Sequence, residues 1–594
     1  MVSILTELNK ERIYGVDTET YSIPKINVYG LKSIQVANDS ESHYFTADDY
    51  TLDDESIRYS ICAKFFRWLE TLDGKITLAF FNLDYDFSQM VKWLVKESGY
   101  QYSEQDKEKW KKPRSWSVLE SDINIYKVSI NIRRGLTIIM MDISNFLTST
   151  SLDRACKEWL GKSKVHLSSK CFPKWNPSPI EKRYAMTDAK LTYELYRCLE
   201  DNNVIEGNRF VTIAGRTIGH FKDYLKKKYG CSFNEFCYLT KDKELVEKYN
   251  LEWESLLRQS NRGGCCMALH KGEFHHATHI DAVSHYPSRM SEPYIPFGNA
   301  LYEKPTDHEY TSIVYPSGYL KLKDGKLPYI QWNSNGQCLA YHWLNDYDAG
   351  DYIKDCCLNG THGFWADEWE IIKECYDFYD VKIDKEIYIL MTENTQLKSY
   401  IKMLFEGKKN NKGTKRYYYK ILMNSLYGKF LSRPDGKKVT YRNGIRELLH
   451  EDGRAMFYLP LGSWIAMRGR VILFQLMLSL DPADVLYCDT DSIVYKGDKD
   501  PKVSFGKELG QWEKEATDID VYIVGAKTYQ EIRDGKLITK CAGINEDIRQ
   551  QIPFGELKEG DEYTVRRAIR DKDSWAKNVK EISFKINTRA GILR

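Results

Sequence analysis

Asp17 and Glu19 stand two residues apart in Gly15-Val16-Asp17-Thr18-Glu19-Thr20, directly after the short apolar stretch Ile13 to Val16. On a strand that spacing puts both side chains on one face, where two carboxylates can converge on one cation. Asp86 follows in Phe81-Asn82-Leu83-Asp84-Tyr85-Asp86, and Tyr184 and Asp188 lie four apart in a helix-like run, one turn along a single face. Four carboxylates and a tyrosine suit two-metal phosphodiester chemistry. Hard cations about 3.5–4 Å apart take acidic oxygen ligands, generate a hydroxide and stabilise the leaving oxygen. Taken singly, each of these residues also reads as an ordinary loop acid or helix N-terminal residue. Their order and strand-end placement carry the reading.

A second set lies downstream. His279-Ile280-Asp281-Ala282-Val283-Ser284-His285-Tyr286 places a carboxylate at a strand end before a turn into a helix. Val485 to Tyr495 reads as a β-hairpin whose tip carries Asp489 and Asp491. Such a tip beside a strand-end acid builds a metal site from segments distant in sequence. Between them Arg416, Lys420, Asn424 and Tyr427, spaced by four, four and three, share one helical face. Two cations and two hydrogen-bonding side chains on one ridge suit a triphosphate above a base pair. Gln396 to Phe430 holds nine Lys or Arg and one acid, Glu406, within a chain whose formal net charge is only +2. That local charge points to phosphate contacts whose affinity falls with salt.

The elements that must position these residues read as α/β in the first two hundred residues. Ile13 to Val16, Thr77 to Phe81 and Leu136 to Met141 are short buried strands, each followed by acids, as open sheets place their sites; Ser88 to Lys96 and Tyr184 to Leu199 are helices. Asn202 to Gly207 is a crossing into a larger α+β part, helical around Thr217 to Lys228, loop-rich from Tyr302 to Gly360, and helical on both sides of Gly407 to Gly413. Segment 431–460, with Arg433-Pro434-Asp435-Gly436 and Asn443-Gly444, reads as loop and hairpin. The 594 residues, 42% hydrophobic and 29% charged, exclude a miniprotein or a disordered chain. Fourteen cysteines without a CxxC pair argue against a zinc ribbon or thioredoxin-like site. Met1 to Lys10 has no leader pattern and the apolar run Val471 to Leu480, broken by Gln475, is too short to span a bilayer. The expectation is a cytoplasmic protein without membrane insertion.

Asp-Thr-Glu-Thr, Asn-Leu-Asp-Tyr-Asp and Tyr-Ala-Met-Thr-Asp resemble the three exonuclease motifs of DnaQ-type 3′–5′ proofreading domains, in the form carried by family B DNA polymerases. The resemblance implies that Asp17, Glu19, Asp86 and Asp188 are metal carboxylates, that Tyr184 orients the attacking water, and that Asn82 contacts the single-stranded primer end. Phe81 stands where relatives often have His. Ser151 to Gly161 resembles the helix after the central exonuclease strand and is assigned no catalytic role. The segments around Asp281 and Asp491 resemble motifs A and C, and Lys420-Ile421-Leu422-Met423-Asn424-Ser425-Leu426-Tyr427-Gly428 resembles motif B. By that resemblance Asp281 and Asp491 bind both catalytic cations, with Val283 as a further metal contact. Asp489 is a lower-ranked catalytic member, and the backbone at Ala282 and Val283 contacts phosphates. Tyr286 packs under the deoxyribose and excludes a 2′-hydroxyl. Arg416 and Lys420 contact the nucleotide phosphates, while Asn424 and Tyr427 line the nascent pair. His285 replaces the usual Leu. Lys527-Thr528-Tyr529 resembles the KxY motif and gives Lys527 and Tyr529 primer contacts. Asn261-Arg262-Gly263-Gly264 resembles the YxGG/A linker, giving Arg262, Gly263 and Gly264 DNA contacts, with Asn261 in place of Tyr.

The implied architecture is a DnaQ/RNase H-like exonuclease domain over 1–200 followed by a right-hand polymerase domain over 201–594. Its palm falls at about 261–300 and 461–542, fingers at about 389–430, and thumb at about 543–594, the last including a stretch from Arg566 to Arg594 with nine basic and three acidic residues. Insertions at about 301–388 and 431–460 resemble those of the protein-primed branch. The implied cofactor is Mg²⁺, two per active site, with Mn²⁺ as a substitute. The implied partners are primer-template DNA, dNTPs, single-stranded DNA at the exonuclease site and a terminal protein primer, for a monomeric enzyme. Three alternatives stay open: the same polymerase using only nucleic-acid primers, a stand-alone exonuclease, and a nonenzymatic replication scaffold.

Overall fold

Three parallel strands, Arg12–Ile23, Gly74–Phe80 and Leu136–Asp142, form the middle of an eight-stranded N-terminal sheet. The computed structural model describes residues 12–586 apart from 24–27, 103–111, 121–124, 148–149, 166, 168–172, 208–209, 243, 246–252, 254, 331–354, 433–436, 443–444, 451–457, 498, 542–543, 545 and 571–576. Met1 to Lys10, the turn residues 433–436 and 443–444, and part of the 301–388 insertion expected from sequence lie outside the described residues. The chain divides into two compact units. One comprises 1–219 with 406–422 and 567–580, and the other 220–405 with 423–566 and 581–594.

In the first unit the strands are apolar because both sheet faces are covered. Ile76, Leu78 and Phe80 of one strand and Ile138 and Met140 of the next are fully buried beneath helices Asp54–Glu70 and Leu83–Lys96. Helix Pro179–Asp201 starts on a reciprocal Ser178–Glu181 capping box with Pro at its first position. The first strand runs on to Ile23, but its parallel pairing with Gly74–Phe80 ends at Gly15. Asp17 and Glu19 therefore lie just beyond the edge of the parallel core. The helix expected from Ser88 begins at Leu83, because Asn82 takes a left-handed φ of 80° that ends the preceding extended segment.

The second unit is built on a seven-stranded sheet in the order Lys536–Cys541, Thr528–Arg533, Trp512–Gly525, Gly272–Ala282, Ser492–Lys496, Val485–Asp489, Cys266–Ala268. Helix Leu459–Leu478 is predominantly apolar but carries Arg468 and Arg470, and it extends well before the run Val471 to Leu480. It is long and apolar enough to cross a bilayer, yet most of it is buried within the protein. The stretch read as loop from Tyr302 contains a thirteen-residue strand, Tyr310–Leu322, paired with the long strand Tyr376–Glu393. Pro316 and Gly318 are residue types that weaken strands, and this strand absorbs them with register shifts at 315/316 and 317/319. Likewise helix Gln396–Asn410 runs through Gly407, where a Cβ would stand 2.5 Å from the Tyr419 ring, so this glycine serves close packing rather than a break. Two hairpins, Lys437–Arg442 with Ile445–His450 and Glu562–Arg570 with Lys577–Lys585, complete the described sheets.

Candidate active sites

Gly15 permits the first site to form. A Cβ there would lie 2.1 Å from the Ala189 carbonyl oxygen and 2.3 Å from the Tyr193 nitrogen, so only glycine lets helix Pro179–Asp201 close onto the strand and bring Asp188 to Asp17. Ligand atoms of Asp17, Glu19 and Asp188 lie within 4.8 Å of one another. Asp86 is buried on the same wall. Its Oδ1 accepts the Thr18 N–H at 3.1 Å and the Thr18 hydroxyl at 2.6 Å. Asn82 is exposed, held in its left-handed turn by a 3.1 Å bond from its N–H to Asp142 Oδ1; the Leu83 and Ser144 N–H groups bind the same carboxylate.

Burial first, and the neighbouring carboxylates second, push Asp17 up to about 7 and Glu19 up to about 10; burial also raises Asp86 and Asp188. Asp188 Oδ1 is buried without a hydrogen-bond donor. A crowded acid set with an orphaned oxygen fits a hard divalent cation, which would restore the charged forms. Sequence reasoning missed Lys164. Its ammonium pairs with Asp188 Oδ2 and stands 5.5 Å from the Tyr184 ring centroid. Burial opposes its charge, but Asp188 and Asp17 outweigh burial and hold Lys164 protonated. No spacing ties it to the acids, since it reaches them from a separate segment after helix Leu152–Leu160.

The second site forms where antiparallel strands zip two distant segments together. Asp281 is in register with Ser492, and the Ala282 N–H donates to the Asp491 carbonyl at 2.7 Å, so the Asp281 and Asp491 backbones are neighbours. Thr490 sits at φ 53° at the hairpin tip, and its N–H donates to the Cys265 carbonyl. Gly264 makes this approach feasible, because a Cβ would lie 2.4 Å from Thr490 Oγ1. Both oxygens of Asp489 accept from Lys527 Nζ at 2.6 Å. Tyr286 lies against Tyr427 with ring centroids 4.3 Å apart. Gly469 leaves room for Tyr286 and for His285, whose Nε2 bonds the Gly469 carbonyl at 3.1 Å. Burial lowers His285 to about 4, so it stays neutral and serves as a packed donor in place of an aliphatic residue. On helix Gly413–Phe430 Arg416 and Lys420 are exposed, whereas Asn424 and Tyr427 are half-buried, and Asn424 Oδ1 is buried without a donor.

Several expected contacts are placed differently. The N–H groups of Ala282 and Val283 donate to the carbonyls of Asp491 and Gln511, and the Val283 carbonyl accepts from Gly510. Arg262 is buried: its guanidinium bonds Glu368 Oε2 at 3.2 Å and the Gly363 carbonyl at 2.7 Å, and lies over Phe364. Arg470 completes this interior cluster by bonding Glu368 and the carbonyls of Arg262 and Gly263. Arg262 thus braces the 261–264 segment from inside. Tyr529 is 8% exposed and packs on Tyr487 with centroids 4.9 Å apart, so its ring supports the sheet.

A nucleic-acid polymerase of the right-hand class, preceded by an exonuclease-like sheet, is what this fold and these paired acidic sites define. Residues 163–454 match the family described as DNA polymerase type B, organellar and viral. The chain is 26% identical over 554 residues to the DNA polymerase of Bacillus phage PZA and 26% over 550 residues to that of Bacillus phage phi29, in both cases covering 84% of this chain and 88% of the relative. It shares its fold with the solved phi29 DNA polymerase complexed with primer-template DNA and incoming nucleotide substrates, with a TM-score of 0.73 at 20% identity, covering 97% of this chain and 100% of that one. The chain is a DNA-directed DNA polymerase similar to the type B DNA polymerases of these phages, a group whose chemistry depends on divalent metal ions.

Proposed function

We propose that the chain couples templated DNA synthesis to 3′–5′ excision of the primer end, and that it starts replication of a linear genome from a terminal protein. The observation that carries the synthetic reading is the zipper between Ala282 and Asp491, which brings Asp281 beside the Asp491 turn. Asp281 and Asp491 are assigned to hold two Mg²⁺ ions, replaceable by Mn²⁺. When bound, the ions activate the attacking oxygen and neutralise charge on the phosphoryl group. Arg416 and Lys420 bind the triphosphate, Asn424 and Tyr427 line the nascent pair, and Tyr286 excludes the 2′-hydroxyl of a ribonucleotide. Lys527 holds Asp489 out of the ion site and offers its half-exposed ammonium to the primer phosphates.

For excision, Asp17, Glu19, Asp86 and Asp188 are the assigned cation ligands and Asn82 is exposed to meet single-stranded DNA. Tyr184 orients water under the fixed charge of Lys164. The palm is assigned to about 261–300 and 461–542, the fingers to about 389–430 and the thumb to about 543–594. The terminal protein is assigned to the insertions at about 301–388 and 431–460. The enzyme is read as a monomer working in the host cytoplasm. The supports are the clustered carboxylates and the likeness to phage polymerases of similar length.

Primer extension and single-strand excision with wild type, Asp17→Ala and Asp491→Ala test the reading. Asp17→Ala should lose excision alone and Asp491→Ala synthesis alone. Loss of both activities in either variant would contradict two independent sites. Adding a cognate terminal protein, template, dNTPs and Mg²⁺ should yield a protein–nucleotide adduct; initiation only from nucleic-acid primers would remove the priming assignment.

A further inference from the structure

Helix Gly413–Phe430 carries the ridge of Arg416, Lys420, Asn424 and Tyr427, yet supplies no acid to its own first turn, which holds Lys415 and Arg416. The missing negative charge comes from Glu158, 256 residues earlier in helix Leu152–Leu160. One Glu158 oxygen, Oε2, accepts the Thr414 N–H at 2.6 Å and the Thr414 hydroxyl at 2.5 Å. The other, Oε1, accepts from Arg154 Nε at 3.0 Å. Trp159 donates its indole N–H to the Thr414 hydroxyl oxygen at 2.7 Å, and Lys415 stands over the Trp159 ring at 5.1 Å. One turn on, the Tyr418 hydroxyl bonds the Asn203 carbonyl at 3.2 Å.

Gly413 has φ +57°, and a Cβ there would meet Glu158 Oε1 at 2.3 Å, so glycine at this position is what lets the carboxylate reach the helix start. The first N–H groups of a helix have no partner within it and carry the positive end of its dipole, so a charged acceptor at that point fixes where the helix begins and how its first turn is rotated. Arg416 is two residues beyond Thr414, and Lys420 is one turn further.

We infer that Glu158, with Trp159, is a positioning residue for nucleotide selection, setting the phosphate-binding face of the helix from within the exonuclease-like domain. This rests on the reading of Arg416 and Lys420 as triphosphate contacts. Single-nucleotide incorporation by the full chain on a primed template tests it with Glu158→Ala, Glu158→Gln, Thr414→Val, the Glu158→Ala/Thr414→Val double variant and Lys420→Ala. Glu158→Ala should raise KM for the dNTP about fivefold with kcat within about twofold of wild type, as expected for loss of a cap that acts on binding. Glu158→Gln keeps an acceptor for the Thr414 N–H and should recover most of the loss, and Thr414→Val should add little to Glu158→Ala. Excision of single-stranded DNA should be unchanged in all of these variants. An unchanged KM in Glu158→Ala, or a parallel fall in excision, would overturn the inference. A raised KM in Lys420→Ala beside an unchanged KM in Glu158→Ala would overturn it alone, whereas an unchanged KM in Lys420→Ala would overturn the triphosphate reading beneath it.

Discussion

The two acidic sites differ in how they are closed and in what becomes of their charge. In the N-terminal domain a helix is pressed onto a strand through Gly15, and three carboxylates meet within 4.8 Å with a fixed lysine, Lys164, on one of them. In the second unit, two antiparallel strands bring Asp281 and Asp491 together, and the remaining acid, Asp489, is taken up by Lys527. The first arrangement concentrates negative charge in a buried place and relies on a cation to relieve it. The second relieves part of its charge internally. Burying a carboxylate is unfavourable unless it is paired, so the two designs should respond differently to mutation and to metal.

The largest contrast is expected at the two glycines. At Gly15 the obstruction is backbone of the facing helix, which cannot swing aside. Gly15→Ala should therefore cost about 3 kcal/mol of stability and abolish excision. Thermal unfolding and a single-strand excision assay read both effects, and a stable, excising variant would break the comparison. Next comes Lys164→Met, which should lower excision about tenfold to hundredfold while leaving primer extension intact. Equal loss of both activities would make Lys164 a general structural residue. At Gly264 the obstruction is the Thr490 side chain, which can rotate. Gly264→Ala should cost about 1–2 kcal/mol and slow synthesis without touching excision.

The smallest effect expected is on metal-linked stability. Asp17 is pushed up to about 7 and Glu19 up to about 10, so the metal-free folded state binds more protons than the unfolded chain above about pH 4. Its stability falls as pH rises through about 7 for Asp17 and continues to fall toward about 10 for Glu19. Mg²⁺ should therefore raise Tm relative to EDTA more at pH 8 than at pH 6, and Glu19→Gln should flatten that difference. Equal increments at both pH values would contradict the crowded-acid account.

What could be read from sequence was local. Asp17 with Glu19, Tyr184 with Asp188, and the Arg416 to Tyr427 ridge announce themselves because strand and helix periods fix which side chains share a face. Residues that act across the fold did not announce themselves. Gly15, Lys164 and Glu158 each depend on what stands opposite, and no short spacing encodes that. The same limit explains the displaced expectations. Strand neighbours consume the N–H groups of Ala282 and Val283, and Glu368 draws Arg262 into the interior. The stretch from Tyr302 read as loop because its strand is made by pairing with the distant Tyr376–Glu393, with Pro316 and Gly318 accommodated as register shifts.

The most direct test is a crystal structure of the chain with primed DNA, an incoming dNTP and Mn²⁺, located by anomalous scattering. The account predicts two ions bridged by the carboxylates of Asp281 and Asp491, with Asp489 still held by Lys527. Ions bound by Asp489 in place of either residue, or Asp281 and Asp491 on separate ions, would contradict it.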